Sequence, residues 1–265
     1  MAQQNSSTTV ALSAEQTTEV LRLIKGSDSV ELKLSVPDAD QSSSVAALEL
    51  DVLQAQIRQV VFFDTPGLAL NARGLVLRAR RVQGREGDSV VKLRPVDPSA
   101  VPSEIRMSPA FGIEVDAMPG GFVCSGSMKA RLDDARVKET FGGARSIRDV
   151  FSKEQRRFFT ANAPADIGFD DLTRLGPINV LKLKFTPAEY GRKMVAELWF
   201  YPDGSRLLEL STKCLPKEAF HVAAETKSFL STRGISLVGS QATKTRKALE
   251  YFAGGAPAPK EGDGS

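Results

Sequence analysis

The chain has 265 residues, 42% hydrophobic and 25% charged, with 35 Lys and Arg against 32 Asp and Glu, a net charge of +3. These values fit a globular protein with one sizeable core, and so small a balance excludes nucleic-acid binding driven by bulk charge; an anion site has to come from local clustering. Two cysteines, Cys124 and Cys214, and one histidine, His221, exclude a zinc cluster and a disulfide framework, no apolar run of about 18 residues offers a membrane span, and the N-terminus lacks the order of a signal peptide, so the expected compartment is the cytoplasm.

Residues 1–26 are expected to be a flexible N-terminal segment, polar over the first dozen. "LSAEQTTEVLRLIKG" within it reads as a short helix, with Ser13 and Gln16 as a capping box and Gly26 as its stop. One domain is expected over 27–253, and "GGAPAPKEGDGS" reads as a flexible tail over 254–265. Strands are expected at Val30–Val36, Gln56–Phe63, Leu75–Val82, Ser89–Arg94, Phe111–Asp116, Gln155–Thr160, Asn179–Phe185, Met194–Tyr201 and Leu207–Lys213. "DTPG" follows the second, "GREGD" joins the third and fourth, and "PDGS" makes a hairpin of the last two. Helices are expected at Val45–Ala55, Ser127–Thr140, Pro216–Arg233 and residues 243–252; the third has Pro216 in its first turn and Gly234 after its end.

The strands share a charge pattern. Residues two apart lie on one face of a strand. Glu31 and Lys33 therefore point together, as do Arg78 and Arg80, Lys92 and Arg94, and Lys182 and Lys184, each set backed by apolar neighbours. Glu209 shares its face with Ser211 and Lys213. A sheet with one wet face gives the same alternation, and Glu114 and Asp116 read as such an exposed face. Repetition of cation-only faces goes further, because adjacent like charges repel unless an anion lies between them. The cations suit a polyanion, and the carboxylates suit a divalent cation that accompanies it. If the charged faces turn inward, the sheet closes into a barrel with a wet lumen, and the apolar faces point outward under the helices. His221 reads as a structural residue of a surface helix, Cys124 and Cys214 as small buried residues, and Asp64 and Pro66 as shaping the turn after a strand.

"FFDTPGLALNARGLVLRARR" resembles the "YYDTP" to "RIRR" segment of the CYTH domain, the fold of the triphosphate tunnel metalloenzymes. "VELKL" resembles that family's opening ExExK strand, and "SVVKLRP" and "VLKLKF" resemble its further cationic strands. "AELWFYPDGSRLLELSTK" resembles its closing acidic hairpin, and "GSQATKTRKALEYF" its tail segment with a late lysine. The matches run in family order over about residues 29–252. The resemblance implies an α+β fold: an antiparallel eight-stranded tunnel with helices packed outside. It implies binding and hydrolysis of a triphosphate or polyphosphate compound with Mg²⁺ or Mn²⁺; from the small charge balance and the missing apolar run, no nucleic-acid or membrane partner is expected. A non-catalytic phosphate-ligand binder and an adenylate cyclase are the alternatives. Carried over residue by residue, Lys33 and Glu31 take the catalytic positions. Arg78, Arg80, Lys92, Arg94, Arg156 (or Arg157), Lys182, Lys184 and Lys244 contact phosphate, and Glu31, Glu209 and Glu197 hold the metal. Two positions depart from the pattern: Ser29 stands for the first glutamate of ExExK, and Ser211 for the second carboxylate of the closing pair.

Overall fold

The computed structural model describes residues 13–236 and 244–254. Residues 1–12 and 255–265, on which most of the expected flexible ends fall, lie outside the described residues. No helix among the described residues is long and apolar enough to cross a membrane.

The alternating segments close into a barrel of nine strands: β1 (Ser29–Val36), β2 (Gln56–Asp64), β3 (Leu75–Val82), β4 (Arg85–Leu93), β5 (Phe111–Met118), β6 (Gly121–Leu132), β7 (Thr173–Phe185), β8 (Met194–Phe200) and β9 (Arg206–Cys214). Their order around the barrel is β1-β5-β6-β4-β3-β2-β7-β8-β9, and β9 pairs back onto β1. The β1–β5 pair is parallel, and the other ladders are antiparallel. The tunnel expected from the resemblance is thus present with one more strand. The "PDGS" turn joins β8 to β9 as a hairpin.

Three segments differ from expectation. Ser127–Thr140 splits into the end of β6 and helix α5 (Asp134–Phe141). Met128, Lys129, Ala130, Arg131 and Leu132 are strong helix formers, but strands on both sides supply ladder bonds that override the local preference. Gln155–Thr160 is not a strand; it lies in helix α6 (Lys153–Asn162). Its aromatics look strand-like, but Ser152 and Gln155 form a capping box that starts a helix. The helix expected at Val45–Ala55 is shorter and earlier, at α2 (Gln41–Ala47), followed by a separate 3-10 turn, Val52–Gln54.

The helices cover the outward face. Helix α1 (Ala14–Gly26) carries the expected capping box and buries Val20, Leu23 and Ile24 against Val30, Ile113 and Val115, so residues 14–26 form part of the folded body. Helices α5 and α6 lie over Leu75, Leu77, Ala79 and Val91. Helix α7 (Ala219–Thr232) and α2 cover Leu34, Leu208 and Leu210. Short helices α3 (Ala69–Ala72) and α4 (Ser103–Arg106) sit in loops, and α8 (Lys244–Ala253) is the last described element.

A fourth apolar cluster lies on the opposite, inward face. Phe62 stands across from Arg78, Val60 from Arg80, and Trp199 from Val180 and Leu207. Directly paired residues share a face, so these apolar groups share the barrel interior with the arginines. Ala248 and Leu249 of α8 bury among them. One part of the lumen is therefore dry and closed by α8, and the charged residues occupy the remainder.

Candidate functional site: a charged tunnel

The loop between β2 and β3 sets the register of the arginine strand. The Asp64 carboxylate, 2% exposed, accepts hydrogen bonds from the backbone N–H of Thr65 (2.7 Å), Leu70 (2.9 Å) and Asn71 (3.0 Å). It knots the "DTPGLALN" loop and caps α3. Gly74 then begins the return with φ +74°, and its carbonyl accepts the Arg94 N–H at 2.9 Å. A Cβ at position 74 would lie 1.8 Å from the Arg94 carbonyl oxygen, so only glycine fits.

β3 turns Arg78 and Arg80 into the lumen. Arg80 is tied to Asp88 of β4 through Nε and Nη2 at 2.8–3.0 Å. Arg78 has no carboxylate partner among the described residues, and its Nε is buried without a hydrogen-bond partner. Burial, with Arg80 nearby, lowers the Arg78 guanidinium to about 10. Arg58 of β2 lines the same face; burial and the neighbouring Arg80 lower it too.

Across the lumen, β1 and β5 bring carboxylates together. Glu31, Glu114 and Asp116 each offer an oxygen within 4.8 Å of the others. The parallel register explains this: Ser29 is opposite Glu114, and Glu31 is opposite Asp116. Glu114 thus stands beside Ser29, whose hydroxyl donates to Glu114 Oε2 at 3.4 Å. Lys33 Nζ lies 2.8 Å from Asp116 Oδ1 and 3.1 Å from Glu31 Oε2, and Lys92 Nζ donates to Asp116 Oδ2 at 3.1 Å. Lys33 Nζ and Asp116 Oδ1 form a close ion pair in the buried lumen. Burial opposes ionisation at Asp116, but Lys92 and Lys33 outweigh it and hold the carboxyl well below its usual range. Burial likewise disfavours the Lys33 ammonium, but Asp116, Glu31 and Glu209 raise it above ordinary lysine. Burial dominates at Lys92, whose pKa is lowered.

A second group lies between β7, β8, β9 and α8. Lys182 donates to Glu197 Oε1 at 2.8 Å, and Lys244, the first residue of α8, donates to Glu197 Oε2 and to Glu209 Oε1, the latter at 2.7 Å. Trp199 Nε1 also donates to Glu197 at 3.3 Å. The carboxylates Glu197 and Glu209, opposite each other in the ladder, are thus held by lysines.

Of the residues expected in the site, the barrel brings together Glu31, Lys33, Arg78, Arg80, Lys92, Lys182, Glu197, Glu209 and Lys244. Arg94 follows the end of β4, half-buried within electrostatic reach of Asp116. Lys184 lies on the inward face but exposed, near the end of β7. Arg156 does not reach the lumen: it lies on α6, outside the barrel, and its Nη1 donates to the Phe151 carbonyl at 2.6 Å. Arg157 is exposed on the same helix. The expected metal set is also redistributed, since Glu31 is grouped with Glu114 and Asp116 rather than with Glu197 and Glu209. Glu114 and Asp116, expected on an exposed face, are lumen residues, and Asp116 is 3% exposed. Arg58 and Asp88 were not singled out by sequence, although each sits two or four residues from an inward neighbour. His221 lies exposed on α7, 3.0 Å from Glu225, and Cys124 and Cys214 are buried and free.

No family model matches the chain, and no curated protein matches it in sequence. Solved structures do match. A candidate adenylyl cyclase of Hippeastrum, for which a dominant triphosphatase activity is described, has a TM-score of 0.62 at 18% identity over 86% of this chain and 97% of that one. A candidate adenylate cyclase of Bacillus halodurans has a TM-score of 0.57 at 15% identity over 83% of this chain and 97% of that one. The fold is that of the CYTH-type tunnel.

Proposed function

We propose that the tunnel binds the phosphate chain of a triphosphate or polyphosphate compound with a divalent cation and hydrolyses its terminal phosphoanhydride. Arg78 carries this reading: a guanidinium turned into a closed lumen, its Nε buried and unpartnered, is stabilised by an anion and by little else. The triphosphatase activity described for the Hippeastrum structure supports the same chemistry.

Phosphoryl transfer needs little covalent help from a protein; it needs position and charge neutralisation. Arg78, Arg80 and Arg58 supply planar donors for non-bridging phosphate oxygens, and Lys92 and Lys182 supply further positive charge. Glu31, Glu114 and Asp116 are hard oxygen donors that fit Mg²⁺ or Mn²⁺, and such an ion would neutralise charge on the phosphate chain. Lys33 stays protonated, so it acts through its charge rather than as a base. Water attacks the terminal phosphorus in line as the bridging P–O bond breaks, and the cations take up charge on the departing phosphate oxygens. The serine at position 29 does not remove the acidic site, because Glu114 occupies the same neighbourhood from β5. This favours turnover over the non-catalytic binder.

Phosphate release from tripolyphosphate, ATP and thiamine triphosphate, with and without Mg²⁺ or Mn²⁺, tests the reading. Cation-dependent release that falls at least about 100-fold in Asp116→Asn is expected, since a lost ligand removes several kcal/mol of charge stabilisation. Binding without release indicates the non-catalytic reading, and cyclic AMP from ATP indicates the cyclase. Neither binding nor release overturns the assignment.

A further inference from the structure

The arginine that sequence placed in the tunnel and the structure places outside belongs to a second basic feature. Arg156 lines two neighbouring cavities on the outer face of the barrel, of about 330 and 560 Å³. The smaller is bordered by Arg131, Arg136 and Arg145, with Asp149 as its one carboxylate, and by Ser152 at the N-terminus of α6. The larger is bordered by Arg148, Lys153, Arg157 and Thr160, with no carboxylate. Lys153, Arg156, Arg157 and Thr160 follow at helical spacing, so they form one face of α6.

Local acids neutralise only part of this strip: Arg131 lies 3.4 Å from Glu86, and Arg145 lies 4.0 Å from Asp149. Arg145 is held by Glu139 at 2.8 Å, and Arg136 has only an exposed contact with Asp133 at 3.5 Å. Arg148, Lys153, Arg156 and Arg157 have no carboxylate within ion-pair distance among the described residues. On a chain of net charge +3, such a concentration repels itself and attracts polyanions. The strip also meets the tunnel. Arg131 pairs in register with Asp88, the partner of Arg80, so it lies on the lumen-facing side near the end of β6, exposed. One arginine thus borders both the outer cavity and the rim of the charged lumen.

We propose that this outer strip is a binding site for linear inorganic polyphosphate and holds the distal part of a chain whose end enters the tunnel; the second half rests on the tunnel reading above. The surface chemistry selects this occupant. Single-stranded nucleic acid is bound by aromatic platforms as well as cations, but Phe151, Phe158 and Phe159 beneath the strip are buried in the core. An interfacial membrane helix adds inserted apolar side chains to its cations, and the large exposed apolar residues, such as Leu53, Met107 and Phe220, lie on other elements. What remains is an anion with closely spaced charge and no bases.

Fluorescence-detected binding of linear polyphosphate of about 100 units, of tripolyphosphate, and of single-stranded RNA of matched charge tests this with the full chain. The variants are Arg148→Gln/Lys153→Gln/Arg157→Gln, which alters exposed residues only, and Arg78→Ala in the tunnel. The strip variant is expected to bind the long chain about tenfold or more weaker, with a shallower salt dependence, because fewer counterions are released. Its tripolyphosphate affinity and thermal midpoint stay at wild-type values. Arg78→Ala is expected to bind tripolyphosphate about 10- to 100-fold more weakly and to keep most of its long-chain affinity through the strip. Equal long-chain affinity in the strip variant and wild type overturns the proposal, as does a preference for RNA over polyphosphate at equal charge. Equal tripolyphosphate affinity in Arg78→Ala and wild type overturns the tunnel reading instead and leaves the strip result standing.

Discussion

Arg78 and Arg80 stand two residues apart on β3, yet their surroundings differ. Arg80 is neutralised by Asp88, and Arg78 carries a lowered pKa because burial is not offset by a partner. Arg80→Ala is therefore expected to lower stability by about 1 kcal/mol, since it strands Asp88 in a half-buried pair. Arg78→Ala is expected to leave the thermal midpoint unchanged or raise it, a sign that the residue is kept for ligand rather than for fold. Glu197 shows the opposite case. Burial disfavours its charge, but Lys244 and Lys182 pull its pKa well below the ordinary 4.5. A carboxyl with a depressed folded-state pKa contributes stability that is complete above its unfolded pKa and is lost as pH falls through the folded value. Glu197→Gln is accordingly expected to cost about 3 kcal/mol at pH 7 by leaving buried lysine charge uncompensated. The gap from wild type should narrow steadily below about pH 4.5 in urea titrations. A gap that is independent of pH would remove this account of the residue.

At the scale of elements, the loop before β3 does more than connect. Asp64 gathers three backbone donors, and Gly74 admits the Arg94 backbone at a distance that no side chain allows. Gly74→Ala is expected to destabilise by more than about 2 kcal/mol, from positive φ and a clash with main chain together. Chemical unfolding would show it, and a wild-type midpoint would contradict the packing described. Elements with period-two charge were legible in the sequence because alternation fixes which side faces the lumen: β1, β3, β4, β7 and β9 needed no tertiary information. β6 was hidden, since its helix-forming residues adopt a strand only between β4 and β5. α6 was hidden behind its phenylalanines, though its capping box was in the sequence to be read. Glu114 and Asp116 were visible as a pair, but their direction depends on the parallel β1–β5 ladder, a long-range pairing that no local pattern encodes. The misplacement of Arg156 follows directly from the strand assigned where α6 lies.

The whole molecule is a barrel turned inside out relative to a sandwich core. Three apolar clusters lie outside under helices, and the interior is divided between a charged part and a dry part closed by α8. Charge inside is grouped, with arginines on β2 and β3 beside Asp88, a carboxylate cluster on β1 and β5 held by Lys33, Lys92 and Lys213, and glutamates on β8 and β9 held by Lys182 and Lys244. Such an interior is costly unless its charges are paired or a ligand completes them, and the arginine side is the one left incomplete. Calorimetric titration of tripolyphosphate into the wild-type chain and Arg78→Ala at pH 7 measures this directly. The account predicts saturable one-site binding that weakens by about 10- to 100-fold in the variant, the worth of a charge-assisted bidentate contact. Equal affinities in the two proteins would contradict it.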